Sequence, residues 1–338
     1  MIRAATLLSV IWVVSGSWTL QTSETTARLR GISIANPMTA WASGANGTVL
    51  RTTDGGAHWQ TLPVPGGEKL DFRDVQAIDA NTAIVLSIGA GDASRIYKTT
   101  DGGRNWTLQF QNSNPKAFFD GIAFWDAGNG LAFSDPVDGK FVIIRTTDGG
   151  AHWAEVPAAN IPPAIAGEAA FAASGTSIVT QGTRHAWIGT GGQAARVFRT
   201  SDGGLTWSVS PAPIVSGAAA TGIFSISFRD AMNGVAAGGD YQKEKEPGAN
   251  FATTDDGGQT WKPGTPLPGY RSGVAFIKSG SRWDLIAVGP SGSDYSSDGG
   301  KTWSAIDSTG YDTVSVLQDR PFAFASGAAG RVAKWMPQ

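Results

Sequence analysis

The stretch Thr146-Thr-Asp148-Gly-Gly150-Ala-His-Trp153 decides the fold, because the chain contains six copies of its pattern. The successive Asp residues lie 47, 47, 54, 54 and 42 positions apart. This period fits one four-stranded blade of a β-propeller. The Asp and Trp of the six copies are Asp54 and Trp59, Asp101 and Trp106, Asp148 and Trp153, Asp202 and Trp207, Asp256 and Trp261, and Asp298 and Trp303.

The residue types of this repeat suit a tight turn that is pinned to a core. Asp hydrogen-bonds to backbone close to it in sequence, and the two Gly residues allow positive φ without a Cβ clash. A Thr or Ser two positions before the Asp is placed to bond across the turn. The Trp ring stabilises the fold by about 1.5–3 kcal/mol when it is covered. We therefore interpret the repeat as structural rather than catalytic.

The repeat resembles the Asp-box, or BNR, repeat, whose pattern is Ser/Thr-x-Asp-x-Gly-x-Thr/x-Trp. This repeat occurs in sialidases, certain endoglucanases, sortilin-type receptors and the photosystem II stability/assembly factor family, and the chain is most similar to the last. The resemblance implies boxes between the third and fourth strands of each blade, away from the ligand face. It also implies a membrane-protein partner bound through Arg residues on one face, although acidic residues are interspersed with the Arg residues here.

The segments between boxes predict an all-β fold, a seven-bladed β-propeller of four-stranded antiparallel blades. Alternating runs such as Ile223-Phe-Ser-Ile-Ser-Phe228 are typical of strands. After the last box, residues 311–335 repeat only the first three strands of a unit. Trp18-Thr-Leu-Gln21 repeats a fourth strand, Trp106-Thr-Leu-Gln109. We therefore predict that the N-terminal strand completes the last blade and removes an exposed edge.

Composition supports many short strands and excludes several functions. The chain has 45 Gly, 13 Trp, 16% charged residues and a formal charge of −2. Nucleic-acid binding requires clustered Lys and Arg, so no nucleic-acid partner is expected. The absence of Cys excludes disulfides and thiolate metal sites. No metal-ligand cluster, catalytic triad or cofactor motif stands out, so we expect no metal and no cofactor.

The N-terminal residues predict a cleaved secretory signal at residues 1–16, with an uncleaved anchor as the alternative, followed by one propeller domain at 17–338. Arg3 supplies a positive charge, an apolar run follows, and Val14-Ser15-Gly16 ends in small residues. The apolar run is shorter than the roughly 20 residues of a membrane span, and no later segment is long enough. A secreted or periplasmic protein is therefore expected.

Candidate binding residues lie in the irregular loops that a propeller places opposite the boxes, since such loops on a rigid scaffold commonly carry function. One of these predicted site residues, Glu168, is a carboxylate in a long apolar stretch. Tyr241 is in the longest loop. The full set is Arg30, Arg73, Asp120, Asp135, Glu168, Asp240, Tyr241 and Arg271.

The sequence favours a non-enzymatic scaffold, a monomer that binds a protein or carbohydrate partner. The alternative is a glycoside hydrolase or a related carbohydrate-active enzyme. A glycoside hydrolase needs two carboxylates about 5–5.5 Å apart for retention or about 6.5–9.5 Å apart for inversion. Its carboxylates would come from Asp120, Asp135, Glu168 and Asp240. The Arg-Ile-Pro motif of sialidases is absent, and the chain is about half as long as a two-propeller endoglucanase. An oxidoreductase is the third and least supported hypothesis.

Overall fold

A computed structural model describes residues 16–337, which form seven antiparallel sheets around a central channel. The predicted signal segment lies outside the described residues except for Gly16. Strands are numbered along the chain, beginning with β1 (Gly16–Gln21). Within residues 16–337, no helix has the length and apolar character needed to cross a membrane.

The first three blades each have four strands in sequence order. Blade 1 contains β2 (Leu29–Asn36), β3 (Thr39–Gly44), β4 (Val49–Thr52) and β5 (Gln60–Thr61). Blade 2 contains β6 (Asp71–Ala77), β7 (Ala83–Ile88), β8 (Arg95–Thr99) and β9 (Thr107–Gln111). Blade 3 contains β10 (Phe119–Phe124), β11 (Gly130–Val137), β12 (Lys140–Thr146) and β13 (Ala154–Glu155).

The other four blades include one six-stranded sheet. The short strands β14 (Glu168–Ala169) and β17 (Gly191–Gly192) extend the sheet of blade 5. Blade 4 contains β15 (Ile178–Gln181), β16 (His185–Gly189), β18 (Arg196–Thr200) and β19 (Ser208–Pro211). Blade 5 contains β20 (Thr221–Phe228), β21 (Gly234–Asp240), β22 (Phe251–Thr254) and β23 (Lys262–Pro263). Blade 6 contains β24 (Gly273–Ser279), β25 (Arg282–Gly289), β26 (Gly292–Ser296) and β27 (Ser304–Asp307). Blade 7 contains β28 (Thr313–Val316), β29 (Ala323–Ser326), β30 (Val332–Pro337) and β1. Three short 3-10 turns complete the described structure: Gly91–Ala93, Ala158–Asn160 and Ala328–Gly330.

The N-terminal strand closes the ring, as the sequence predicts. β1 pairs antiparallel with β30, and Trp18 lies opposite Trp335. The Trp18 indole donates a hydrogen bond to Ser293 Oγ at 2.9 Å, and its ring centroid lies 5.3 Å from that of Tyr311. The seam is therefore held by backbone pairing and by an aromatic cluster that joins blades 6 and 7. The predicted seven-bladed fold is confirmed.

The six boxes share one hydrogen-bond pattern, in the turn before the fourth strand of their blades. In the first box, the Thr52 hydroxyl donates to Asp54 Oδ1 at 2.8 Å and accepts the Gly56 N–H at 2.9 Å. Asp54 Oδ1 also accepts the His58 N–H at 2.9 Å. The equivalent bonds recur in the other five boxes. The box carboxylates are thus occupied as acceptors inside their own turns.

Polar side chains on the innermost strands join neighbouring blades around the channel. Each accepts a backbone N–H from the first strand of the next blade. These pairs are Ser33 with Ala77, Asp74 with Ile122, Ser227 with Phe276, and Ser315 with Ile34, at 2.8–3.1 Å. Such bonds satisfy backbone groups that the sheets leave unpaired and fix the position of each blade relative to the next.

Candidate functional site

The main cavity on the face opposite the boxes is a pocket of about 470 Å³ at the channel mouth, hereafter the upper pocket. Its walls come from the starts of the innermost strands and from the loops after second strands. Cationic, aromatic and acidic side chains line it: Arg28, Arg30, Arg73, Phe171, Phe224, Tyr241, Tyr270, Glu244 and Asp312. The volume lies within the roughly 300–1,000 Å³ range of ligand sites.

The floor of the upper pocket is residues 170–176, a segment that crosses the channel before β15 and is called the crossing segment below. Ala172 O accepts a hydrogen bond from Arg73 of blade 2 at 3.1 Å. Ser174 O accepts one from the Thr313 hydroxyl of blade 7 at 2.7 Å. The first residues of the segment line the upper pocket, whereas Ser174 and those after it line a second cavity of about 280 Å³ in the channel. The upper pocket is therefore closed at its base.

Glycine is required where the crossing segment passes over blade 2. Gly175 has φ +70°, and a Cβ there would lie 2.5 Å from Asp74 Oδ1. The left-handed backbone and the close carboxylate together disfavour any larger residue. The crossing segment can pass this close to blade 2 because its residue nearest to Asp74 is a Gly.

Three guanidinium groups meet in the upper pocket, and they differ in their partners. Arg28 Nε lies 2.7 Å from Asp312 Oδ2, and Arg73 Nε lies 2.8 Å from Asp71 Oδ2. The Arg30 side chain makes no hydrogen bond or ion pair with any group in residues 16–337. Burial lowers the pKa of Arg30, and repulsion from Arg73 and Arg28 lowers it further. Since Arg stays protonated in proteins, Arg30 is a partly buried cation that feels the attraction of Asp312 and Asp71 but forms a direct ion pair with neither.

The other wall of the upper pocket is aromatic. The rings of Phe171 and Phe224 stack with centroids 3.9 Å apart and 12° between their planes. Tyr270 and Tyr241 contact Phe224 edge-on, with centroids at 4.8 and 6.0 Å. Phe224 and Tyr270 are buried, whereas Tyr241 is 44% exposed. Apolar ring surface thus lies next to the three arginines.

Two of the predicted carboxylates, Asp120 and Asp135, lie together deeper in blade 3 and do not line the upper pocket. Burial, and then repulsion from Asp135, hold the pKa of Asp120 well above its ordinary range. Burial also raises the pKa of Asp135, whose Oδ1 accepts the Ala170 N–H at 2.8 Å. Asp120 is 1% exposed, and its Oδ2 has no hydrogen-bond partner within residues 16–337. Asp120 is therefore closed off from solvent, whereas Asp135 borders a separate surface pocket of about 380 Å³ that Glu168 also lines.

Two further predicted residues, Glu168 and Arg271, are held in buried ion pairs. Glu168 accepts two hydrogen bonds from the Arg196 guanidinium and a third from the Thr190 hydroxyl at 2.5 Å. Arg271 Nε lies 2.6 Å from Asp294 Oδ2, and both side chains are almost fully buried. Their charges are neutralised inside the protein, so neither group is available to a ligand.

Of the eight predicted site residues, the structure therefore brings Arg30, Arg73 and Tyr241 together in the upper pocket. Asp240 lies at the start of the same loop as Tyr241, and its Oδ1 accepts the Gln242 N–H at 2.9 Å. The described residues contain no group of three or more His, Asp or Glu side chains placed to hold a metal ion.

Sequence reasoning missed Phe171 and Phe224 of the aromatic wall and the acidic residue Glu244 of the upper pocket. Phe171 is a lone aromatic in the run Ala169-Ala-Phe-Ala-Ala173, and this isolation was the available signal. Phe224 follows the alternation of β20 like any core residue. Glu244 looked like one of several charges in an exposed loop. Neither Phe224 nor Glu244 differs from its surroundings in a way that composition alone reveals.

The fold and the boxes define an Asp-box β-propeller of seven blades. Residues 11–116 match the family model described as photosynthesis system II assembly factor YCF48, and residues 294–305 match the BNR/Asp-box repeat. No curated protein sequence matches the chain. The resemblance that the sequence indicates is confirmed.

Solved structures show the same fold at low sequence identity. YCF48 bound to a D1 peptide is 17% identical with a TM-score of 0.64, over 95% of this chain and 97% of that one. YCF48 from Cyanidioschyzon merolae is 18% identical with a TM-score of 0.66, over 94% and 98%. A GH74 xyloglucanase from Xanthomonas campestris is 16% identical with a TM-score of 0.66, over 94% of this chain and 53% of that one.

Proposed function

We propose that the protein is an exported, non-enzymatic scaffold, monomeric by itself, whose upper pocket binds an acidic polypeptide segment of a protein partner. The unpaired Arg30 cation carries this proposal. A guanidinium held in a pocket without a direct ion pair favours a carboxylate ligand, because the two groups form paired, charge-assisted hydrogen bonds. Binding through Arg clusters is a recurring mode of acidic-motif recognition.

Two comparisons support a protein partner. The family whose model matches residues 11–116 is an assembly factor, and one structurally similar YCF48 is bound to a D1 peptide. A neutral carbohydrate would leave the charge of Arg30 unmatched, whereas an acidic peptide neutralises it. The predicted signal supports export, and an exported protein would meet its partner in the periplasm or outside the cell.

The glycoside hydrolase alternative finds less support in the geometry. Asp120 is buried, and in the pocket that Asp135 and Glu168 share, the Glu168 carboxylate is fully buried and neutralised by Arg196. In the upper pocket, Asp312 is tied to Arg28. The likeness to the xyloglucanase covers 53% of that chain and concerns the fold alone. We therefore favour binding over hydrolysis.

The test compares the full protein with its Arg30→Gln variant on capped peptides that contain Asp, or Asn at the same position. The wild type should prefer the Asp peptides, and Arg30→Gln should reduce their affinity roughly tenfold to a hundredfold, the equivalent of losing a charged hydrogen bond. Arg104→Gln is the matched control, since Arg104 is an exposed residue of a box and its loss changes the net charge equally. Equal binding of Asp and Asn peptides, or binding only of neutral glycans, would refute the proposal.

A further inference from the structure

The upper pocket has a cationic surface at Arg30 and an aromatic surface at Phe171 and Tyr241. The proposed binding of an acidic group uses only the cationic surface. Phe171 is partly exposed from the crossing segment, and Tyr241 is 44% exposed from the loop after β21. Both rings border the pocket that contains Arg30. Exposed aromatic rings inside a concave site are typical of positions where a partner inserts an apolar side chain.

The aromatic wall has a fixed shape because the protein holds it from below. Phe171 stacks on the buried Phe224, and the crossing segment is tied to other blades through Ser174 and Thr176. Thr176 Oγ1 donates to Ser225 Oγ at 2.7 Å. The aromatic wall is thus preorganised, so a ligand ring can pack on Phe171 without the entropic cost of ordering the Phe171 side chain.

Backbone hydrogen bonding distinguishes an acidic side chain from a chain-terminal carboxylate. Terminal carboxylates are commonly captured by clusters of free backbone N–H groups. In the pocket wall, the N–H groups of Tyr241, Tyr270 and Asp312 already donate to carbonyls of Ala220, Glu244 and Ser326, at 2.7–3.2 Å. These three N–H groups are therefore not available to a terminal carboxylate, whereas the unpaired Arg30 guanidinium can donate to an acidic side chain.

We propose that the upper pocket selects an internal acidic side chain that is adjacent to an aromatic side chain in the partner. The carboxylate lies on Arg30, and the ring packs against Phe171 and Tyr241. This inference rests on the proposed peptide-binding function and adds the apolar half of the recognised motif. Among the three arginines that line the pocket, Arg30 alone has no ion pair within residues 16–337, so one carboxylate satisfies its charge, and selectivity beyond charge comes from the ring.

The experiment measures dissociation constants by fluorescence anisotropy for four labelled peptides of equal length and the full protein. Three are capped at both ends and carry Asp-Phe, Asp-Ala or Asn-Phe at their centre. The fourth has no acidic side chain and ends in Phe with a free carboxylate. The Asp-Phe peptide should bind about tenfold or more tightly than Asp-Ala, the effect expected for burying a Phe ring. It should also bind more tightly than the other two.

Variants separate the two halves of the motif. Tyr241→Ala and Phe171→Ala should reduce the preference for Asp-Phe over Asp-Ala while keeping the preference for Asp over Asn. Tyr241→Ala is the safer variant for folding, because that side chain is largely exposed. Leu108→Ala, which removes an exposed apolar side chain from β9, is the control and should change neither preference.

Each result has a single meaning. Equal affinity for Asp-Phe and Asp-Ala, or a preference unchanged in both aromatic variants, overturns the inference but leaves acidic-peptide binding standing. Tightest binding of the free-carboxylate peptide overturns the choice of an internal acid, and with it the inference. Loss of the distinction between Asp-Phe and Asn-Phe in the wild type overturns the proposed function as well.

Discussion

Asp74 Oδ2 in blade 2 accepts the backbone N–H of Ile122 in blade 3 at 2.8 Å. Ser residues occupy the equivalent bridging role elsewhere in the ring, at Ser33, Ser227 and Ser315. Blade 2 therefore uses an ionisable group where other blades use a neutral hydroxyl. Burial raises the pKa of Asp74 to about 8, partly offset by hydrogen bonds from Ile122 and Val75.

The raised pKa of Asp74 predicts a stability that falls as pH rises. In the unfolded chain an Asp loses its proton near pH 4, whereas in the folded protein Asp74 keeps it up to about pH 8. The folded state thus binds more protons between these values, so this stabilising contribution is complete below about pH 4 and is lost towards pH 8. Asp120 and Asp135 act in the same direction.

Asp74→Asn should therefore flatten the dependence of the unfolding free energy on pH between about 4 and 8, while Asp120 and Asp135 maintain a smaller slope. Urea unfolding at several pH values measures this slope. Asp92→Asn is the control, because Asp92 is largely exposed in the short turn of blade 2. A slope that is the same in Asp74→Asn and wild type would show that Asp74 does not titrate as its burial implies.

The box tryptophans should contribute to stability in proportion to their burial. Trp59 is 4% exposed and packs edge-on against Phe324 of blade 7, with ring centroids 5.6 Å apart. Trp59→Ala should cost about 3–5 kcal/mol, and Trp153→Ala should cost less because its ring is partly exposed. Asp148→Ala, which removes the acceptor of the box turn, should cost roughly 1–2 kcal/mol.

Denaturant unfolding measures the three box variants, and peptide binding provides the second readout. Because the boxes lie on the face opposite the upper pocket, peptide affinity should remain that of the wild type at temperatures where each variant is folded. Reduced affinity with unchanged stability would contradict the structural interpretation of the boxes.

The blade count, the position of the boxes and the closure by Trp18 were predictable from the sequence because each depends on local repetition. The six Asp-Gly-Gly-x-x-Trp copies mark the turns, and the Trp18-Thr-Leu-Gln21 match identifies the missing strand. Periodicity and turn chemistry are local properties, so they can be read without knowing which residues meet in space.

The site was predictable only in part, because ion pairing depends on contacts between residues distant in sequence. Glu168 and Arg30 are both charged residues near loop ends. Arg196, 28 residues after Glu168, neutralises Glu168, whereas no carboxylate within residues 16–337 forms a direct ion pair with Arg30. The crossing segment was not foreseeable either, since no repeat describes a segment that leaves its blade.

The buried pairing of Glu168 predicts that Glu168→Gln acts on stability rather than on binding. Its side chain is 0% exposed and bridges Arg196 and the Thr190 hydroxyl. Removing its charge leaves a largely buried guanidinium unmatched, at a cost of about 3–5 kcal/mol. A thermal melt should show the loss, while the affinity for the Asp-Phe peptide at low temperature stays unchanged. Normal stability with lost peptide binding would instead show that Glu168 contacts the ligand.

The ring closure predicts different outcomes for two N-terminal truncations. A chain that begins at Gly16 retains β1 and should melt like the full protein. A chain that begins at Thr22 loses β1, exposes the edge of β30 and uncovers Trp335 and Tyr311. It should be destabilised by at least about 3–5 kcal/mol and aggregate through the free edge. Thermal melts with light scattering compare the two, and equal melting temperatures would exclude closure by β1.

Glu244 should act against acidic ligands of the upper pocket, because it places a carboxylate in the wall near Arg28. Its backbone O accepts the Tyr270 N–H and the Ser291 hydroxyl, both at 3.0 Å, so the loop is fixed against blade 6. Glu244→Gln should therefore tighten binding of the Asp-Phe peptide severalfold, with a larger gain at low salt because screening is weaker there. Glu246→Gln is the matched control: Glu246 lies in the same loop, is exposed and pairs with Lys243. If both variants strengthened binding equally, the effect would come from net charge, and Glu244 would have no specific role in the pocket.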